Sequence, residues 1–347
     1  MKPKAWSRLQ SCCLFAALLL LLLTMLACGS GASSSAAPTL TSAKLSTQVS
    51  GVVLGYVWDS VSNGLRAIQG LPGAAYLAPP AYNSGGYTSA VASARGGYAL
   101  LTSRTGDISL ALLPGGQPVP LTAAFSAYQH VALSPGGSAA VVFADDKRTA
   151  QVFTHLPAAP QLQQIQIPAQ GSITNICVSD SGLLLLALDN GAAGVAISSI
   201  SGDGVVHQVA NIARYGDMRF IASSNDVLIA DAGQNAVWSI KNVATGGGLL
   251  PVAGAADGVL APLAVASSSD GAWALIANQA GKLLRVNLTG QGPVISAQCQ
   301  CTPSLLVPLS GNATFQITPL ATAPLWLYEG DAATPRAVFV PAASNGN

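Results

Sequence analysis

"VLIADAGQNAVWSI", residues 227–240, places two short apolar runs on either side of a turn that holds Asp231, Gly233 and Asn235. Apolar, β-branched runs this short, bounded by Asp, Gly and Asn, read as two strands joined by a tight bend. Just upstream, "MRFIAS" (218–223) is a further short apolar run, and it ends in Ser.

That run recurs along the chain. "LSTQVS" ends at Ser50, "TSAVAS" at Ser93, "QHVALS" at Ser134, "TNICVS" at Ser179, "MRFIAS" at Ser223, "PLAVAS" at Ser267 and "LLVPLS" at Ser310. The intervals are 43, 41, 45, 44, 44 and 43 residues, too regular for chance and within the usual period of a propeller blade. In most units a second apolar strand follows, such as "YALLTS", "LLLLAL" or "WALIAN". A third follows a bend, as in "DISLAL", "GVAISS" or "KLLRVN", and a fourth follows Gly or Pro, as in "VVHQVAN" or "RAVFVP". No helical pattern of the length a parallel sheet would need lies between them. The spacing predicts an all-β fold, a seven-bladed β-propeller of four-stranded antiparallel blades over residues 44–343, with 344–347 as a tail. The last unit supplies four strands of its own, so no strand need be exchanged between the chain ends.

Composition agrees. Charged residues make up only 8% of the 347 positions, Gly numbers 36, and Glu329 is the one glutamate among 14 acidic residues. Amphipathic helices need charged wet faces, whereas strands buried on both sides do not. Two units, "MRFIASSNDVLIADAGQNAVWSIKN" (218–242) and "LAPLAVASSSDGAWALIANQAGKLLRVNL" (260–288), resemble NHL- and YVTN-type propeller repeats. The resemblance implies the fold and says little of function, because such scaffolds host many unrelated sites.

The N-terminus reads as an address. A basic stretch, "MKPKAWSR", leads into the apolar run "CCLFAALLLLLLTMLA", short for a membrane span, so residues 1–27 are expected to be a signal peptide rather than an uncleaved anchor. "MLAC" at 25–28 resembles the bacterial lipobox, which implies acylation of Cys28 and a lipid anchor in the cell envelope. Gly29 follows where Asp would resemble an inner-membrane retention signal, which favours the outer membrane or surface. Residues 28–43 form the lipidated Cys and a Ser/Ala/Gly tether. Without Lys2, Lys4 and Arg8 the chain carries 12 basic against 14 acidic residues, no footprint for nucleic acid. Cys177, Cys299 and Cys301 remain; the last two are expected on one strand face, where they would not easily close on each other, and no zinc spacing accompanies them.

Aligned units put Asp59, Ser103, Asp145, Asp189, Asp231 and Asn278 at the bend between second and third strands. Short polar side chains there accept backbone N–H groups, so turn capping is the first reading, ahead of calcium binding or catalysis. Four places before the repeat serine stand Ser46, Ser89, His130, Asn175, Arg219, Leu263 and Leu306, a ring expected at one mouth of the central channel. His155 and His207 fall towards outer strands. "PPAYNSGGY" (79–87), "AFSAYQ" (124–129) and "ARYGDM" (213–218) are expected as loops at that mouth, where Tyr82, Tyr87, Tyr128, Arg214, Tyr215 and Asp217 would offer a recognition surface.

No G-x-S-x-G elbow, P-loop, H-E-x-x-H or complete dinucleotide fingerprint is present. "NLT" and "NAT" match the glycosylation sequon but carry no weight beside a bacterial lipobox. The leading expectation is a monomeric, lipid-anchored envelope propeller that acts as a binding or protein-interaction scaffold, with no cofactor and no metal. The alternative is an extracytoplasmic lactonase- or lyase-like enzyme working through His130, Arg219 and Asp217 at the channel mouth, and a third possibility is a purely structural envelope protein.

Overall fold

The computed structural model describes residues 51–341 apart from 84–85, 96, 123–124, 126–128, 145–147, 168–170, 291 and 322–323. The expected signal peptide, Cys28, the expected tether, the strand expected to end at Ser50, Tyr128, Asp145 and the 344–347 tail all lie outside the described residues.

Seven antiparallel sheets follow one another along the chain. Blades 2 to 7 have four strands each, in sequence order from the innermost outwards, and blade 1 shows three, Val53–Asp59, Gly64–Gln69 and Tyr76–Leu77. The chain is a seven-bladed β-propeller, and its only helices among the described residues are single turns at Gly191–Ala193 and Ala255–Asp257.

The second strand of each blade shows why these sequences fold this way. In Leu184–Asp189, Leu184, Leu186 and Leu188 pack towards blade 3, while Leu185 and Ala187 pack towards blade 5. A strand sandwiched between neighbours must be apolar on both faces, so alternation between polar and apolar disappears while alternation of packing partner persists. Seven hydrophobic clusters result, one at every blade interface. Each buried Leu or Ile in them contributes roughly 1.5–3 kcal/mol.

The cluster between blades 7 and 1 closes the ring, with Leu309, Leu320, Leu325 and Leu327 against Leu54, Val57 and Ile68. At the same seam Ser310 donates its N–H to the Leu54 carbonyl at 2.6 Å and its hydroxyl to the Val53 carbonyl at 3.0 Å. Blade 7 takes all four strands from the C-terminal part of the chain, ending with Arg336–Val340.

One expectation fails. Cys299 and Cys301 form a disulfide, with Cα atoms 5.1 Å apart. The fourth strand of blade 6 stops at Gln298, and the Cys299 N–H turns to the Gly281 carbonyl at 2.9 Å. The two cysteines thus sit in a bend, not an extended strand, and their Cα separation falls in the range a disulfide spans. Cys177 is free and buried.

Candidate functional site

The hairpin between first and second strands gives a common reference for the channel. Ser93, Ser134, Ser179, Ile221, Ser268 and Leu309 each donate their N–H to the first residue of the following strand or its neighbour. Counting back four residues from these gives Ser89, His130, Asn175, Asp217, Ala264 and Leu305, which face Thr102, Phe143, Ala187 and Ala230 across the ladder in blades 2 to 5. The ring counted from the repeat serines is therefore out of phase after blade 4. Asp217, not Arg219, is the counterpart of His130 and Asn175.

Two residues before the same reference points stand Val91, Ala132, Cys177, Arg219, Ala266 and Val307, and all six line a cavity of about 350 Å³ in the channel. Five of the six are apolar or a thiol. Arg219 is the exception, and its side chain keeps 37% of its surface exposed where it lines the cavity.

Behind Arg219 lies a polar network across three blades. The Arg219 Nε donates to Asp217 Oδ2 at 3.3 Å. Asp217 also accepts the Val265 N–H of blade 6 at 3.2 Å and, more weakly, the Tyr215 hydroxyl at 3.5 Å. Asn175 of blade 4 donates its Nδ2 to the Tyr215 oxygen at 2.6 Å. Asp217 is only 5% exposed, and burial pushes its carboxyl above the ordinary value against the lowering pull of Arg219 and of the backbone donors Val265 and Met218. Burial also pushes the Tyr215 phenol well up and the Cys177 thiol to about 12. The Asp217 charge raises Arg219, which stays a cation.

The structure brings together Asn175, Tyr215, Asp217 and Arg219. His130 holds the equivalent position in blade 3, and its exposed ring stacks on Phe143, the residue paired with it on the next strand, with centroids 4.8 Å apart. "ARYGDM" is a loop only at Ala213 and Arg214. The first strand of blade 5 starts at Tyr215, so Tyr215 and Asp217 are built into the sheet rather than offered at a surface. Arg214 is exposed, and its Nη2 bonds the Ala232 carbonyl at 3.0 Å. Tyr82 donates its hydroxyl to the Leu112 and Gly116 carbonyls, tying blade 1 to blade 2. His207 is exposed on the fourth strand of blade 4, and His155 is exposed just beyond the third strand of blade 3, at φ 59°.

The bend residues differ more than their alignment suggests. Asp231 is 1% exposed and accepts four backbone N–H groups, from Gly233, Gln234, Arg214 and Ala213 at 2.9–3.2 Å. It holds its own bend and the loop arriving from blade 4. Asp59 caps Val61 and Ser62 and pairs with Arg66 at 3.2 Å, whereas Asp189, exposed, accepts only the Gly191 N–H at 2.8 Å. The Asn278 side chain accepts the Leu260 N–H and donates to the Gly258 carbonyl of the incoming loop, while its own bend is closed by its backbone carbonyl, which accepts the Gly281 N–H at 3.2 Å.

Sequence reasoning missed Arg95. It lies on the blade 2 hairpin turn, lines the cavity, and reaches across to the Ser269 carbonyl of blade 6 at 2.5 Å. "SARGG" (93–97) was the available signal, a lone cation in a turn of a nearly uncharged chain. The cavity reaches this hairpin-turn side of the ring, opposite the loops between blades where a recognition surface was expected. Among the described residues no three His, Cys, Asp or Glu side chains come together as a metal site would need.

No protein-family model matches this chain, and no curated protein matches it in sequence. Among solved structures it is similar to a functionally unknown protein from Desulfotomaculum acetoxidans DSM 771. The two share 15% identity over 84% of this chain and 100% of the other, with a TM-score of 0.55. The likeness is one of fold. A nidogen/laminin complex also matches, at 16% identity over 68% of this chain and 89% of that one, but a TM-score of 0.43 carries no argument.

Proposed function

We propose that this chain is a lipid-anchored envelope propeller of NHL-like repeats that binds a ligand or partner in its central channel rather than transforming one. One observation carries the reading: among the described residues the charged groups lining the channel cavity are the guanidiniums of Arg219 and Arg95, and no Asp, Glu or His lines it. Asp217, the carboxylate behind Arg219, is buried and already accepts Arg219, Val265 and Tyr215. Arg219 presents a guanidinium to the cavity instead, and guanidinium holds anions but does not accept protons. The volume, near 350 Å³, suits a small ligand. "MLAC" and the tether after it support the anchor at Cys28.

Two measurements test this. Cys28→Ala is expected to move the chain from the membrane to the soluble fraction and abolish acyl labelling; unchanged fractionation removes the anchor. For binding, the full chain is incubated with envelope extract, re-isolated and denatured, and the released compounds are compared by mass spectrometry with those from Val307→Phe, which fills the cavity. At least one compound is expected on the parent protein alone. Identical profiles would defeat the channel reading.

A further inference from the structure

The residues of the cavity also say what kind of ligand it takes. Arg219 has one nitrogen committed, the Nε bonded to Asp217 at 3.3 Å. The guanidinium carries further donors in a planar fork, which the described side chains leave without a bond, and the group is more than a third exposed to the channel. A buried cation whose only task was to neutralise Asp217 would not need a water-reached outer edge.

The surroundings are mainly apolar, with small neutral polar groups such as Ser134, Ser267, Asn312 and Thr314 among them. The other wall positions at the level of Arg219 are Val91, Ala132, Cys177, Ala266 and Val307, and the second charged group on the lining is Arg95 at the hairpin side. No Asp, Glu or Lys among the described residues lines the cavity. Among the described residues the lining carries positive charge alone, while Asp217, the counter-ion of Arg219, is withdrawn into the wall behind it. A chamber walled mainly by apolar side chains, with an unfilled guanidinium fork, matches a ligand with one carboxylate and a compact apolar body. A neutral molecule would offer the fork a weaker acceptor without opposite charge, and a cation would meet two like charges.

We infer that the channel cavity is a site for a small apolar monocarboxylate, held bidentately by Arg219, with Arg95 adding charge at the hairpin side. The inference rests on the channel-binding reading above and names its ligand class.

The test titrates benzoate into the purified full chain by calorimetry, with benzyl alcohol as the uncharged counterpart. Benzoate is expected to bind at one site and benzyl alcohol at least about tenfold more weakly, as loss of a charge-assisted pair implies. Arg219→Lys keeps the charge beside Asp217 but removes the fork, and is expected to weaken benzoate by about tenfold. Asp217→Asn/Arg219→Gln replaces the ion pair by a neutral one, keeps the fold, and is expected to abolish binding. Arg95→Gln is expected to weaken it by less, about threefold, and to lower its dependence on salt. Equal binding of benzoate and benzyl alcohol, or no loss in a double variant that unfolds like the parent, would overturn the assignment. If benzoate does not bind but an uncharged or cationic compound is retained from envelope extract, the channel reading stands and the carboxylate assignment falls. If neither happens, both fall.

Discussion

Asp231 and Ala213 lie 18 residues apart in sequence and are joined by a 3.0 Å hydrogen bond from the Ala213 N–H to Asp231 Oδ2. The bend of blade 5 is thus locked to the loop that delivers the chain from blade 4. Asp231→Ala strands four backbone donors around a site that is 1% exposed, and is expected to lower stability by about 3 kcal/mol. Asp189→Ala, which loses a single exposed bond, is expected to cost about 0.5–1 kcal/mol. Urea midpoints for the two variants measure the contrast, and equal losses would contradict it.

Asp59 gives an acid-side prediction. Burial pushes its carboxyl up but is outweighed by donors from Ser62, Val61 and Arg66, so the group is held below the ordinary value. A lowered folded value contributes stability above the unfolded carboxylate value, near 3.9, and loses it as pH falls through the folded value. Asp59→Asn is therefore expected to be less stable than the parent at pH 7, with the gap closing below about pH 4. Denaturant midpoints from pH 7 to pH 3 check the convergence.

Asp217 has the opposite sign. Its folded value is raised, so the cost of holding it ionised is fully present above that value and disappears as pH falls through it. Arg219→Gln removes the compensating cation and is expected to cost about 2 kcal/mol at pH 7, less than a wholly buried pair because water reaches the guanidinium. The deficit is expected to shrink as the medium is acidified and Asp217 takes up a proton. A pH-independent deficit would show that the pair matters only through packing.

The cysteines allow a chemical test. Burial pushes the Cys177 thiol to about 12, and Cys299 and Cys301 are joined. Alkylation of the native protein at pH 8 is expected to leave all three unmodified, alkylation in urea to modify Cys177 alone, and urea with reductant to modify all three. Peptide mapping by mass spectrometry reads the pattern, and native labelling of Cys299 or Cys301 would deny the disulfide.

The blades were legible because their interior strands leave no choice: "LLLLAL" and "WALIAN" cannot face water on either side, and their spacing repeats. The wall of the channel was less legible, since its register hangs on hairpin geometry. Serines mark the turn in blades 2 to 4, but "SS" after "MRFIA" and "SSS" after "PLAVA" offer several candidates, and the turn bond belongs to Ile221 in blade 5 and Ser268 in blade 6. A slip of two residues moved Arg219 into the ring position that Asp217 holds, although both were singled out. The disulfide was hidden for a similar reason: nothing in "ISAQCQC" shows that the strand ends at Gln298.

Ser310 meets Val53 and Leu54 at the junction of the last blade with the first. Tension on the chain ahead of residue 51 is met within blade 1 by the Gly70 N–H on the Val52 carbonyl, and then by those two bonds and the side chain of Leu309 packed under Gly55. The seventh blade is thus the mechanical partner of the first, so a pull on the chain entering blade 1 is borne in part by residues as far as 257 positions further along the sequence.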